Sequence, residues 1–378
     1  MKRDKSIRCL ILRRCFLGLL VLFSCDEDAS TIEKPKTPNF VHVYSQQDYI
    51  DYELLKEFEK TSGVKIKVTE YESRDAALAR LQESPGVFDL IVANEQTANL
   101  FASLKLIEKK TGLQEPSAKD DKNKPSPHTV PYFWGGDGIA VNTAFVKEKV
   151  EGWQVFYNEE YNGKLLLIDH PRESVGAVLK YSDLPINTGG TDELMIAELN
   201  GNLLRENSVG FGESMDNLNK VIAGEKWVAQ VRSGSFAQRA GEAKNVVFVF
   251  PKEGYGIFKI CLSVGKDCPN PVQARKLIGF MVKPENAARS SARLFYGSLI
   301  EGADEYLSEE ERGHPISHPP RDVYALGEHY TDLQKVANVH EKIFSLAKKT
   351  SDEGERTEEE EQPQGEDTET QENQNDES

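Results

Sequence analysis

Between Phe40 and Val92 the chain alternates short apolar runs with amphipathic ones, and that rhythm limits the folds open to it. Phe40 to Tyr44 has the β-branched and aromatic character of a strand. Tyr52, Leu54, Leu55 and Phe58 then share one helical face, and Gly63 fits the cap beyond it. Val64 to Val68 alternates as a second strand, and Ala76 to Leu81 reads as a second helix. Val87 to Val92 is a third strand, with Asp89 inside it. Strand, helix, strand, helix, strand is the pattern of a parallel sheet with helical crossovers. Ligands of such sheets sit at the carboxyl ends of the strands. Those ends are Tyr44 to Tyr49, Tyr71-Glu72-Ser73 and Ala93-Asn94-Glu95-Gln96.

The stretch from Pro131 to Asn142 separates this series from a second one. Tyr132, Phe133 and Trp134 run into Gly135 and Gly136, and Gly138 precedes the apolar Ile139 to Val141. Glycine there permits unusual backbone geometry or close backbone approach. Two readings stand: a crossover from one α/β lobe to another, or a core strand after a loop. The order of segments favours the crossover. Leu165 to Ile168 is a buried strand, followed by Asp169-His170-Pro171-Arg172-Glu173. Val175 to Tyr181, Asp192 to Glu206 and Asp216 to Ala223 are helical, and Gly224 lies just past the third. Trp227 to Val231 and Val246 to Phe250 are strands, and Phe258 to Val264 returns to the first lobe. Pro271 to Val282 has proline at a helix start, with Pro284 beyond its end. Leu333, Val336, Ala337, His340, Ile343, Phe344 and Ala347 form one apolar face of a last helix, expected to pack on the second lobe.

The two ends of the chain differ from its body. Lys2, Arg3, Lys5, Arg8, Arg13 and Arg14 form a basic start, and Cys15 to Phe23 is an apolar run too short to span a bilayer as a helix. It leads into Ser24-Cys25, which resembles a bacterial lipoprotein signal, with Cys25 the residue that takes lipid. An ordinary secretory signal and a frayed anchor are the other readings, and each carries the body out of the cytoplasm. Residues 26–38 then read as a polar tether. From Ser351 onward the chain is acidic and nearly without apolar residues, so it cannot bury enough surface to fold. The formal net charge is −16; residues 1–25 carry +5 and residues 351–378 carry −12, which leaves −9 on the body. An acidic body without a basic stripe argues against nucleic acid as a partner. Beyond the signal and Cys25, the cysteines are Cys261 and Cys268. An oxidising compartment permits them to pair, but a strand position followed by a turn does not assure the geometry.

No motif of a catalytic constellation or a bound cofactor is present. There is no phosphate-binding glycine loop, no dinucleotide fingerprint and no nucleophile elbow. His314 and His318 have metal-like spacing, but they lie among prolines without a carboxylate or cysteine set, so no metal is expected. No persuasive catalytic constellation is found, so an enzyme is not expected.

From about Val41 to about Leu346 the sequence resembles the periplasmic spermidine/putrescine-binding proteins of ABC importers. The resemblance rests on Tyr71-Glu72-Ser73, Phe88-Asp89-Leu90-Ile91-Val92, Pro131-Tyr132-Phe133-Trp134-Gly135 and Glu160-Tyr161-Asn162-Gly163-Lys164-Leu165-Leu166-Leu167. Arg172-Glu173, Gly234-Ser235 and Pro251 to Phe258 extend it. It implies an α/β fold of the two-lobe periplasmic-binding-protein type II. Each lobe would be a mostly parallel sheet flanked by helices, with a hinge between the lobes and the ligand in the cleft. The divisions expected are residues 39–142 plus 259–300 for the first lobe and 143–258 plus 301–350 for the second. The partners implied are a small polar solute, a membrane permease, and the membrane itself through the lipid anchor.

The pocket implied by the resemblance matches only in part. Tyr49 stands for a pocket tyrosine, Glu173 for an acidic anchor and Gln334 for a pocket glutamine. Asn94 and Trp134 are expected near them. Gln46 replaces a tryptophan, Gln47 a threonine, and Gln96 stands near a tyrosine position. His170 and Cys261 replace carboxylates, while Arg232 and Lys259 replace tryptophan walls. Polyamines are held by carboxylates on their ammonium groups and aromatic faces along their methylenes. In one reading the two new cations favour an anionic or zwitterionic ligand. In the other they point away or pair with Glu173 or Asp137. A sensory protein that reports ligand to a membrane receptor is a further alternative.

Overall fold

A computed structural model of the chain describes residues 39–109, 126–331, 333 and 337–348. The signal, Cys25, the tether, the acidic tail and Gln334 lie outside the described residues. The first lobe opens with strand β1 (Phe40–Gln46), helix α1 (Tyr52–Ser62), β2 (Lys65–Tyr71), α2 (Arg74–Glu83), β3 (Leu90–Asn94) and α3 (Glu95–Ser103). Its helices begin where short polar side chains satisfy the first amides. Asp51 accepts from Glu53 N and Leu54 N, Ser73 from Ala76 N, and Asn94 from Thr97 N. Gly63 ends α1 at φ 69°, a left-handed cap that glycine adopts without strain.

Strand β4 (Val130–Asn142) contains the whole aromatic-glycine stretch. Its residues Val130 to Gly136 pair with β9 (Tyr255–Val264), and from Asp137 onward it pairs with β7 (Val228–Arg232) and β8 (Val246–Val249). One strand therefore leaves one lobe and enters the other, as a crossover requires. The glycines are strand residues, not loop residues. A Cβ on Gly135 would meet the Phe258 ring at 2.6 Å, and one on Gly138 the Phe248 ring at 2.2 Å. Close approach of aromatic rings, rather than unusual backbone geometry, is what glycine supplies here.

The second lobe holds β5 (Leu165–Ile168), α4 (Pro171–Tyr181), α5 (Thr191–Glu206), β6 (Gly210–Gly212), α6 (Ser214–Ala223), β7, α7 (Ser233–Arg239) and β8. After β9 come α8 (Pro271–Met281), α9 (Pro284–Leu294) and β10 (Gly297–Ser298). The turns α10 (Glu309–Arg312) and α11 (Arg321–Tyr324), strand β11 (Gly327–His329) and helix α12 (Ala337–Lys348) complete the chain. Pro284, expected to follow a helix end, starts α9, because proline at the first helical position sacrifices no internal hydrogen bond.

The strands run β2-β1-β3-β9-β4-β7-β5-β6 in one curled sheet. It is mixed. β1 is parallel to β2 and β3, and β5 is parallel to β6 and β7, while β4 and β9 add antiparallel neighbours. Each lobe buries apolar side chains on both sheet faces. Val43, Leu54, Phe58, Leu262 and Leu277 fill one face of the first lobe, and Tyr44, Phe88 and Phe101 the other. In the second lobe Leu165, Val178, Leu204, Ile343 and Phe344 pack on one face, and Leu218, Val231 and Phe236 on the other. Helix α12 thus packs on the second of these cores through Ile343 and Phe344. Ala303 and Leu307 pack in the first core. Cys261 and Cys268 are two buried thiols, not joined to each other. Among the described residues no helix is long and apolar enough to cross a membrane.

Candidate ligand-binding cleft

The carboxyl ends of parallel strands from both lobes converge. From the first lobe come the loop after β1 (Gln46, Gln47, Asp48, Tyr49), Glu72 after β2, and Asn94 with Glu95 at the β3–α3 junction. From the second come His170 and Glu173 after β5, Glu213 after β6, and Arg232 with Ser235 after β7.

Arg232 and Glu173 form the centre. Arg232 Nε donates to Glu173 Oε2 at 2.9 Å and Nη2 donates to Oε1 at 3.1 Å. Both side chains are only 2% exposed. Arg232 Nη1 also reaches Glu213 Oε2 at 3.5 Å, and its guanidinium lies 5.9 Å from the Phe258 ring centre. Burial opposes the Arg232 charge, but Glu173 and then Tyr49 and Glu213 hold its pKa well above the ordinary value. The first lobe meets the same two carboxylates. Asn94 Nδ2 donates to Glu173 Oε1 at 3.4 Å, and Gln46 Nε2 donates to Glu213 Oε2 at 2.7 Å. Of the two placements left open by the sequence for this cation, pairing with Glu173 is the one observed.

Asp48 closes one side. It accepts hydrogen bonds from the Ser235 and Tyr296 hydroxyls, and Gln238 donates to its backbone oxygen at 3.2 Å. Burial pushes its carboxyl up to about 6, against the pull of Arg232. Burial likewise raises Glu213 to about 7. His170 lies 3.6 Å from Glu173, but burial and then Arg74, Arg232 and Arg172 hold its pKa well below the usual imidazole range. His170 is thus neutral at neutral pH.

Two cavities flank the Arg232–Glu173 pair. One of about 280 Å³ is lined by Arg74, Glu95, Gln96, His170, Arg172 and Glu341 among others. The other, of about 120 Å³, is lined by Gln46, Gln47, Asp48, Glu72, Glu213 and Arg232 with the start of α6. Arg232 borders the smaller cavity, His170 borders the larger, and Glu173 lies between them.

The residues named from the sequence fall in different places. Gln47, His170 and Arg232 line these cavities, and Asn94 and Glu173 lie in the partition. Tyr49 and Trp134 line neither of the two. Tyr49 packs edge-on against Tyr296, fully buried, and its hydroxyl has no hydrogen-bond partner. Trp134 packs edge-on against Tyr324. Lys259 is buried with its Nζ 4.0 Å from Glu95. Cys261 sits opposite Ala93 in the sheet and lines neither cavity. His314 Nδ1 accepts from the Ile316 and Ser317 amides, a turn-forming role. The acidic lining, Asp48, Glu72, Glu213 and Asp216, was not among the residues named for the site. The first two lie within strand ends that the alternation marks, so position alone could have flagged them. Glu213 follows a strand of three residues with two glycines, which leaves no periodic signal.

Two α/β lobes that share two through-running strands and turn their strand ends on a polar cleft define a two-lobe solute-binding fold. The chain belongs to the bacterial extracellular solute-binding protein family, whose model matches residues 53–311. It is 29% identical over 323 residues to the spermidine/putrescine-binding periplasmic protein of Escherichia coli strain K12, covering 82% of this chain and 92% of that one. A solved structure described as a putative spermidine/putrescine ABC transporter from Listeria monocytogenes superposes with a TM-score of 0.70 at 25% identity, covering 82% of this chain and 98% of that one. An A. tumefaciens R10 binding protein in complex with agropinic acid has a TM-score of 0.65 at 18% identity, covering 82% and 97%, a likeness of fold alone.

Proposed function

We propose that this chain is the extracytoplasmic solute-binding component of an ABC importer, and that it takes an organic cation of the polyamine class between its lobes. The observation that carries the reading is the lining of the smaller cavity, where four acidic residues, Asp48, Glu72, Glu213 and Asp216, accompany one cation, Arg232, already committed to Glu173. A carboxylate set of that kind favours ammonium groups through charge-assisted hydrogen bonds. The anionic alternative loses its main support, because an arginine that already meets two carboxylates offers little to a third. Names of relatives at 24–29% identity, among them spermidine/putrescine-binding and putrescine/agmatine-binding proteins, point to the same chemistry. Its role would be binding and release to a membrane permease rather than turnover, with lipid on Cys25 holding the protein at the membrane. Of the sequence-named residues, Gln47, Asn94, His170, Glu173 and Arg232 are the proposed site members.

Mass spectrometry of solute released from the purified protein, followed by calorimetric titration with that solute, tests the reading. An amine in the released fraction is expected. A carboxylic or phosphorylated solute that binds on re-addition, with amines inert, would overturn it.

A further inference from the structure

We infer that Arg232 is a tethered substitute for a ligand's cationic group, and that it limits the length of cation the cleft accepts. The inference rests on the proposed cationic ligand and concerns what this chain does to that site. The guanidinium has the surroundings of a bound organic cation. Glu173 receives two of its N–H groups, at 2.9 and 3.1 Å, and Glu213 a third at 3.5 Å. The Phe258 face is 5.9 Å away. Asn94 and Gln46, both from the opposite lobe, donate to the same two carboxylates. A guanidinium at this point neutralises charges that lobe closure would otherwise bury uncompensated, which is costly. It performs that service without a ligand.

Its position also has a steric consequence. Arg232 borders the cavity of about 120 Å³ and His170 the one of about 280 Å³, and Glu173 is bonded to the first and 3.6 Å from the second, which sets the pair on the way from one cavity to the other. A cation short enough to lie in one cavity is admitted. An extended chain with ammonium groups at both ends would have to cross the guanidinium, and meets it as a like charge. Shortening residue 232 removes both barriers and leaves Glu173 and Glu213 without their cation.

The test compares wild type with Arg232→Ala and, in case the alanine protein folds poorly, Arg232→Gln. Thermal unfolding is measured with methylguanidinium at millimolar, non-denaturing concentration, and spermidine is titrated by calorimetry. Methylguanidinium is expected to raise the melting temperature of the variants and not that of wild type. Spermidine is expected to bind the variants about tenfold or more tighter than wild type, the scale of one charge-assisted hydrogen bond. Rescue by methylguanidinium without any gain for spermidine would uphold the tethered cation while overturning the limit on length. Variants that respond to both compounds as wild type does would overturn the inference outright.

Discussion

Gln46 of the first lobe donates its side-chain amide to Glu213 of the second across 2.7 Å, between residues 167 positions apart in the chain. With the Asp48 contacts to Ser235 and Gln238 it ties the end of β1 and the loop after it to the start of α6 and to α7. Such bonds exist only while the lobes are closed. A hydrogen bond to a charged acceptor contributes about 1.5–3 kcal/mol. Gln46→Glu replaces that bond with two facing carboxylates, so the closed form should lose population. Small-angle scattering of the ligand-free variant is expected to give a larger radius of gyration than wild type. An unchanged radius would mean that this contact does not hold the lobes.

The acidic side of the cleft should respond to pH in a defined direction. Glu213 is raised to about 7 by burial, and Asp48 to about 6. A carboxyl whose folded pKa lies above its unfolded value binds protons more tightly when folded, so its contribution is fully present at low pH and is lost as pH rises. For Glu213 the loss runs from the ordinary glutamate value of 4.5 up to about 7. Glu213→Gln cannot titrate. The stability of wild type relative to this variant should therefore fall across that window, by on the order of 3 kcal/mol in chemical denaturation. A difference that is flat, or that grows with pH, would contradict the assigned environment.

The sequence exposes the fold better than it exposes the cleft, for a physical reason. Helix and strand periodicity come from burial, and burial is what the alternation from Phe40 to Val92 records. Helix caps such as Asp51 and Gly63 are equally local. Arg232, Glu173 and Glu213 are brought together by tertiary packing; the resemblance offered Glu173 as one possible partner of Arg232, but nothing near Arg232 in the sequence announces Glu213. Positions matched by resemblance fall both inside the candidate cleft and outside it. Tyr49, matched to a pocket tyrosine, lies behind Asp48 against Tyr296, while Asp48 beside it lines the cavity. The aromatic-glycine stretch fell between the two cases. Its place as the crossover was readable from segment order, but its glycines accommodate rings from β8 and β9 that lie more than a hundred residues away.

Membrane attachment through Cys25 can be tested apart from binding. In cells given labelled palmitate, the protein should take up lipid label and sediment with membranes. Cys25→Ala should do neither while still binding the same solute. Label retained on the alanine variant would show that the leader is of another kind.

The last prediction concerns the point where β4 changes lobes. Asp137 is the first residue of β4 to pair with β7, opposite Arg232, and it is 1% exposed. Tyr330, one residue past β11, donates its hydroxyl to Asp137 Oδ2 at 2.6 Å, while Oδ1 has no hydrogen-bond partner. Burial, and then the charge of Glu173, keep the Asp137 carboxyl well above the usual range. A single hydroxyl is thus what satisfies a buried acid at the crossover. Tyr330→Phe removes it, and a buried polar group left without a partner costs about 1–3 kcal/mol. Gly256→Ala should act on the same bond from the opposite side. A Cβ at position 256 would lie 2.2 Å from the Tyr330 ring carbon that bears the hydroxyl, so the ring must move. If both variants act by releasing Asp137, the double variant should be little worse than Gly256→Ala alone, because the second change removes a bond already broken. Chemical denaturation of the three proteins measures this directly, and full additivity would show that the glycine and the hydroxyl serve separate purposes.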